Sequence, residues 1–76
     1  MIKELDRVVL TVDVPEHGLM SGDIGTVVLV HRGDIGFEVE FLTLDGETLA
    51  VTSLPVAHVR PISSKEIAHA RTLELV

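Results

Sequence analysis

Apolar and polar residues alternate with a period of two along most of the chain, which predicts β-strands. From Leu5 to Val12, Val8, Leu10 and Val12 fall on one face and Arg7, Val9 and Thr11 on the other. From Ile24 to His31, Ile24, Thr26, Val28 and Val30 oppose Gly25, Val27, Leu29 and His31. The cleanest alternation runs from Phe37 to Leu44, where Phe37, Val39 and Phe41 are expected inside and Glu38 and Glu40 in water. Asp45-Gly46 signals a two-residue type I′ hairpin turn into a fourth strand over Glu47 to Thr52. Val56 to His58 fits one helical turn. Val59 to Ile62 fits a short fifth strand, confined to an edge by Pro61.

Two segments break the alternation. Asp13 to Asp23 contains Pro15, Gly18 and Gly22 and is long for a hairpin loop, so it is expected to fold back over one end of the sheet. Gly25, inside a strand pattern, marks a bulge or a close backbone approach. Ser63-Ser64-Lys65-Glu66 reads as a capping box, Ser63 capping and Glu66 reaching back, and predicts a helix over about 64–73. The expected fold is therefore all-β: a single domain over 1–76, with about five antiparallel strands within 5–62 and a short C-terminal helix. That order of elements is the order of a small SH3-like barrel.

Composition narrows the function. With 76 residues and no cysteine, the core is small and neither a disulfide nor a thiolate metal site supports it. The absence of cysteine fits a reducing cytoplasm. Phe37 and Phe41 are the only aromatic residues, so Val, Leu and Ile build the core. Twelve carboxylates against six scattered Lys and Arg give a net charge of −6, which repels phosphate backbones and speaks against nucleic-acid binding. Apolar runs such as Val27–Val30 are too short to span a bilayer, so no membrane association is expected.

Catalytic and metal chemistry find no motif. His17, His31, His58 and His69 form no short-range ligand pair. Glu16-His17 with Asp23 offers an acid–base pair but no nucleophile or oxyanion site, and none of the serines lies in a nucleophile elbow. Gly18, Gly22 and Gly25 match neither phosphate-binding glycine pattern and precede a strand. No catalytic residue, metal or cofactor is expected. Alternation instead leaves Val9, Val27, Leu29, Leu42 and Leu44 opposite the inward sets. Covered by the long loop and the C-terminal helix they are core; exposed together they mark an interface. The candidate interface residues are Val9, Leu29, Leu42 and Leu44, with Glu16 and His17 in the long loop.

Gly22-Asp23-Ile24-Gly25-Thr26-Val27-Val28 resembles the glycine-bearing strand of KOW-type and related small barrels. A broader resemblance rests on Ile2-Lys3-Glu4-Leu5-Asp6, Pro15-Glu16-His17-Gly18-Leu19, the Gly22–Val28 stretch, Leu44-Asp45-Gly46 and Val59-Arg60-Pro61. These residues look like bacterial domain-of-unknown-function family 4926, whose name implies no activity and carries over no catalytic residue. The expected function is a non-catalytic, cytoplasmic protein-binding module. It either serves as an antitoxin- or immunity-like partner of a basic toxin or forms a homo-oligomeric module; self-association, most simply as a dimer, is the expected state, with a heteromeric partner as the runner-up. The alternative is a KOW-like nucleic-acid- or ribosome-associated barrel.

Overall fold

A computed structural model describes residues 1–73. Five strands form one antiparallel sheet: β1 (Arg7–Leu10), β2 (Ile24–Val30), β3 (Gly36–Leu42), β4 (Thr48–Pro55) and β5 (Val59–Pro61). Their order is β4-β3-β2-β1-β5, so β1 to β4 pair in sequence order while β5 crosses over to pair with β1. Single 3₁₀ turns occupy Pro15–His17, Arg32–Asp34 and Val56–His58. The last agrees with the helical turn expected there, and β5 is an edge strand as Pro61 requires.

The core follows the alternation where the strands are regular. Phe37, Val39 and Phe41 of β3 are buried, and they pack with Val8, Leu10, Val27, Leu54 and Val59. β1 is shorter than the Leu5–Val12 pattern because Leu5, at φ +72°, takes the chain out of extended geometry.

Two irregularities correct the expected faces. Val27 pairs with Val39 but Leu29 pairs with Glu38, so Val28 is one residue too many on β2. This bulge exchanges the two faces: Val27 and Val30 both turn to the core, while Leu29 turns outward. Val27, expected outside by strict alternation, is thus fully buried. Val9 is also a correction. It is only 8% exposed and stands across from Ile24 on β2 and Arg60 on β5. It is no part of an exposed surface. Gly25 marks a close approach; the bulge lies three residues further on. A β-carbon there would meet Val39 Cγ1 at 2.6 Å and Phe41 Cε2 at 2.8 Å.

The β3–β4 turn also differs from expectation. Gly46 has φ +88° but Asp45 does not share the positive φ that a type I′ turn demands. The turn spans Thr43 to Glu47 instead, with Gly46 N–H donating to Thr43 O at 3.0 Å and Thr43 N–H to Glu47 O at 2.8 Å. Beyond it the register shifts between Phe41 and Leu42, leaving Leu49 as an extra residue on β4.

The expected C-terminal helix is absent among the described residues. The capping box makes its bonds: Ser63 N–H donates to Glu66 Oε1 at 2.7 Å, and Lys65 N–H to Ser63 Oγ at 3.2 Å. One turn forms, closed by Glu66 N–H on Ser63 O, and the helix does not propagate. A helix this short needs a packed apolar face to offset its nucleation cost, and Ile67 is 95% exposed. Ser63→Ala therefore removes no helix cap. Its effect in urea unfolding should lie within about 0.5 kcal/mol, where a true cap would cost about 1.

Candidate functional site

The long loop is ordered by its own residues. Pro15 presets φ for the 3₁₀ turn, and Gly18, at φ +69°, ends it. Val14 and Leu19 then pair as an isolated bridge, which brings Leu19 into the core at 2% exposure. Asp13 Oδ1 accepts from Ser21 N–H at 2.8 Å, and Asp23 Oδ2 from Met20 N–H at 2.8 Å. The loop base is tied to β1 by Leu10 N–H on Asp23 O and Gly22 N–H on Leu10 O.

Arg71 straps the C-terminal segment onto this loop. Its Nε and Nη2 donate to the two oxygens of Asp23 at 2.8 and 2.7 Å, and Nη2 also donates to Gly18 O at 2.9 Å. Partial burial opposes the Asp23 charge, but the Arg71 and Met20 hydrogen bonds outweigh it and hold the carboxyl below 3.8. A second anchor joins Arg60 to Glu66 through two hydrogen bonds of 2.9 and 2.7 Å. With the Ser63 amide it pulls Glu66 from 4.5 down to about 2.

Both carboxyls have folded values below their unfolded ones, so each contribution is complete above the unfolded value and is lost as pH falls through the folded one. Both pairs should therefore hold at neutral pH and release on acidification, the Arg60–Glu66 pair between 4.5 and about 2. The Arg60 side-chain N–H signals would report that release. An Arg60 signal unchanged down to the bottom of that window would contradict the Arg60–Glu66 pairing.

Glu38 and Glu40 stand on the outward face of β3, where the register sets Leu29 and Ser53 beside Glu38, and Thr26 and Val51 beside Glu40. Glu38 accepts from the Ser53 hydroxyl and meets His31 Nε2 at 2.7 Å, which keeps its carboxyl below the usual range. Thr48 Oγ1 donates to Glu40 Oε2 at 2.9 Å. A Ser, a Glu and a His thus meet, with the Ser53 hydroxyl and His31 Nε2 both on the Glu38 carboxylate. The cross-strand register would have revealed this group; sequence spacing alone did not.

The remaining interface candidates are dispersed. Leu29 and Leu42 are half exposed on the outward side of the sheet, but Glu38 and Glu40 intervene along β3. Leu44 stands at the β3–β4 turn, 98% exposed. Glu16 and His17 are exposed on the loop, away from any acid–base partnership with Asp23, whose oxygens Arg71 and Met20 occupy.

An open cleft separates the loop from β4. Two open depressions lie there, one of about 450 Å³ lined by Leu19, Met20, Leu49 and Arg71 among others, and one of about 270 Å³ lined by Glu16, Ser53, Pro55 and His58 among others. Asp13 lines both. Among the described residues no three His, Asp or Glu side chains converge to hold a metal, and no helix is long and apolar enough to cross a membrane.

Charge is distributed unevenly around this cleft. Asp13 and Glu16 face β4 across it, Glu38 and Glu40 flank β4 on the sheet, and Asp45 and Glu47 lie in the turn leading into β4. Those six carboxylates equal the whole net charge of −6, because the other six are matched in number by the six Lys and Arg. Among the described residues none of the six is paired with a Lys or Arg.

Neither a curated protein nor a solved structure matches the chain. A family model described as "Domain of unknown function (DUF4926)" matches residues 4–61, from the segment preceding β1 to the end of β5. The match covers every strand and the folded-back loop but not the Arg71 strap, and the chain belongs to this DUF4926 family.

Proposed function

We propose that the chain is a non-catalytic protein-binding module, built as a small SH3-like barrel, whose partner is a polypeptide with surplus positive charge. The barrel reading is supported by the strand order, the first-loop length and the turn between β4 and β5. Bulges in β2 and β4, with the close approach at Gly25, give the sheet the bends that curling requires.

The observation that carries the binding reading is the set of carboxylates around β4 that have no Lys or Arg partner among the described residues, beside a strand with no charged residue of its own. Fields of one sign steer partners of the other and repel copies of the same surface. This favours a heteromeric partner over self-association, although Leu29, Leu42 and Val51 keep a homo-oligomeric module as the second reading. In its most pointed form the protein is an antitoxin- or immunity-like partner of a basic toxin in a bacterial cytoplasm, a reading that rests on small size and acidity. Non-catalytic action is supported by the engagement of Asp23 with Arg71, which removes it from an acid–base pair with His17.

The same field opposes the KOW-like, nucleic-acid-binding alternative. Mixing the chain at low micromolar concentration with single-stranded RNA or duplex DNA should give no mobility shift. A salt-sensitive shift would replace the protein-binding reading with the KOW-like one. Sedimentation equilibrium of the chain alone should give a monomer, whereas a dimer dissociated by Leu29→Asp or Leu42→Asp would establish the homo-oligomeric reading.

A further inference from the structure

β4 is eight residues long, lies at the end of the sheet and, among the described residues, has no strand on its outer side. Alternate residues of such a strand turn their N–H and C=O groups away from β3, leaving a template for another strand. Edge strands are commonly protected by charged residues, by proline or by brevity. β4, Thr-Leu-Ala-Val-Thr-Ser-Leu-Pro, has no charge and carries proline only at its last position. The other sheet edge, β5, has three residues and includes Pro61. The two edges are therefore unequal, and only β4 offers a pairing surface of useful length.

The surroundings of β4 select what can pair with it. A second β4 is disfavoured, because edge-to-edge pairing of two copies brings together both sets of carboxylates. An added strand would lie next to Val51 and Ser53 on the outward face, with Glu38 and Glu40 one strand beyond, about 10 Å away. Its other face would look toward the cleft wall formed by Asp13 and Glu16. Extended Lys and Arg side chains reach across that distance along apolar neighbours. We infer that β4 is the docking edge for an extended basic segment of the partner protein, which joins the sheet as a sixth strand. This rests on the protein-binding reading and gives it a mode: backbone hydrogen bonds hold the segment and the carboxylates choose its charge.

The probe is a blocked octapeptide of alternating Lys and Thr, titrated into the isotopically labelled chain while amide shifts are followed. Shifts should concentrate on Thr48–Leu54, with contacts from the peptide backbone to β4. N-methylation of alternate peptide amides keeps the charge but removes strand pairing, and should weaken binding at least about tenfold. A Glu/Thr octapeptide should not bind. Glu16→Gln with Glu47→Gln should weaken the Lys/Thr peptide roughly threefold or more, as should raising ionic strength from about 0.05 to 0.5 M. Both glutamates are exposed and use no side-chain hydrogen bond, so that variant stays folded. Equal binding of the N-methylated peptide, or no binding at millimolar peptide, overturns strand addition. Shifts confined to the Leu29 and Leu42 face also overturn it, while leaving the protein-binding reading in place; that reading fails separately if the cellular ligand is nucleic acid.

Discussion

Leu19→Ala should destabilise the protein by about 2–5 kcal/mol, although Leu19 belongs to an eleven-residue loop rather than to a strand. Its side chain is packed in the core with Val8, Leu10 and Val59, and truncation leaves a cavity that the surrounding strands fill only in part. A chain of 76 residues has roughly 4–11 kcal/mol of stability in total, so the loss is a large share of it. The melting temperature should fall by roughly 10 °C or more. Met20→Ala, next to it but half exposed, should cost less than about 1 kcal/mol, and His17→Ala within about 0.5. Urea unfolding of the three variants provides the comparison. Equal effects at Leu19 and Met20 would show that the loop does not enter the core, and the cleft built from it would lose its wall.

A comparable loss is expected for Gly25→Val. Even the first added carbon meets Val39 Cγ1 at 2.6 Å, Phe41 Cε2 at 2.8 Å and the Glu40 carbonyl oxygen at 3.0 Å. The two side chains are themselves buried and have nowhere to retreat, and the carbonyl belongs to the β2–β3 pairing. Overpacking of this kind costs about 1–3 kcal/mol, and more for the branched valine than for alanine. Gly36→Ala has the same cause in a harder form, since its β-carbon would lie 2.7 Å from the Leu54 backbone oxygen. By contrast, Gly22→Ala meets no atom within 4 Å and is strained only through its φ of +99°. Chemical denaturation ranks the three variants. A Gly25→Val protein as stable as the parent would mean that β2 and β3 do not approach at this point.

How far the sequence speaks can be judged residue by residue. β3 was legible because Phe37, Val39 and Phe41 alternate with glutamates over an unbroken stretch, and a strict period of two has one interpretation. β2 was legible as a strand but not in its faces. Nothing in Thr-Val-Val-Leu-Val distinguishes a bulged from a regular strand, and one extra residue reverses every side chain beyond it. Val9 escaped because alternation assumes a wet outer face, whereas across from Val9 stand Ile24 and Arg60, residues distant in sequence. The Ser63–Glu66 box was read correctly as local hydrogen bonding and wrongly as the start of a helix. A cap stabilises the first turn, but propagation depends on packing that Ile67 does not find.

The site was less legible because it is assembled from distant segments. Asp23 with Arg71, and His31 with Glu38 and Ser53, are joined by the register and the loop path, not by sequence spacing. The net charge of −6 was evident in the composition, but not that six of the carboxylates lie around one uncharged edge strand.

Protein binding through the acidic side is tested most directly by recovering the tagged chain from its own cells after cross-linking and weighing the intact complex by native mass spectrometry. The expected result is a heteromer of this chain with a polypeptide of net positive charge. It should survive nuclease treatment and carry its cross-links on Glu16, Glu38, Glu40 or Glu47. A nuclease-sensitive complex containing RNA or DNA would contradict protein binding as the function, and a complex cross-linked only through the β5 side would contradict the surface.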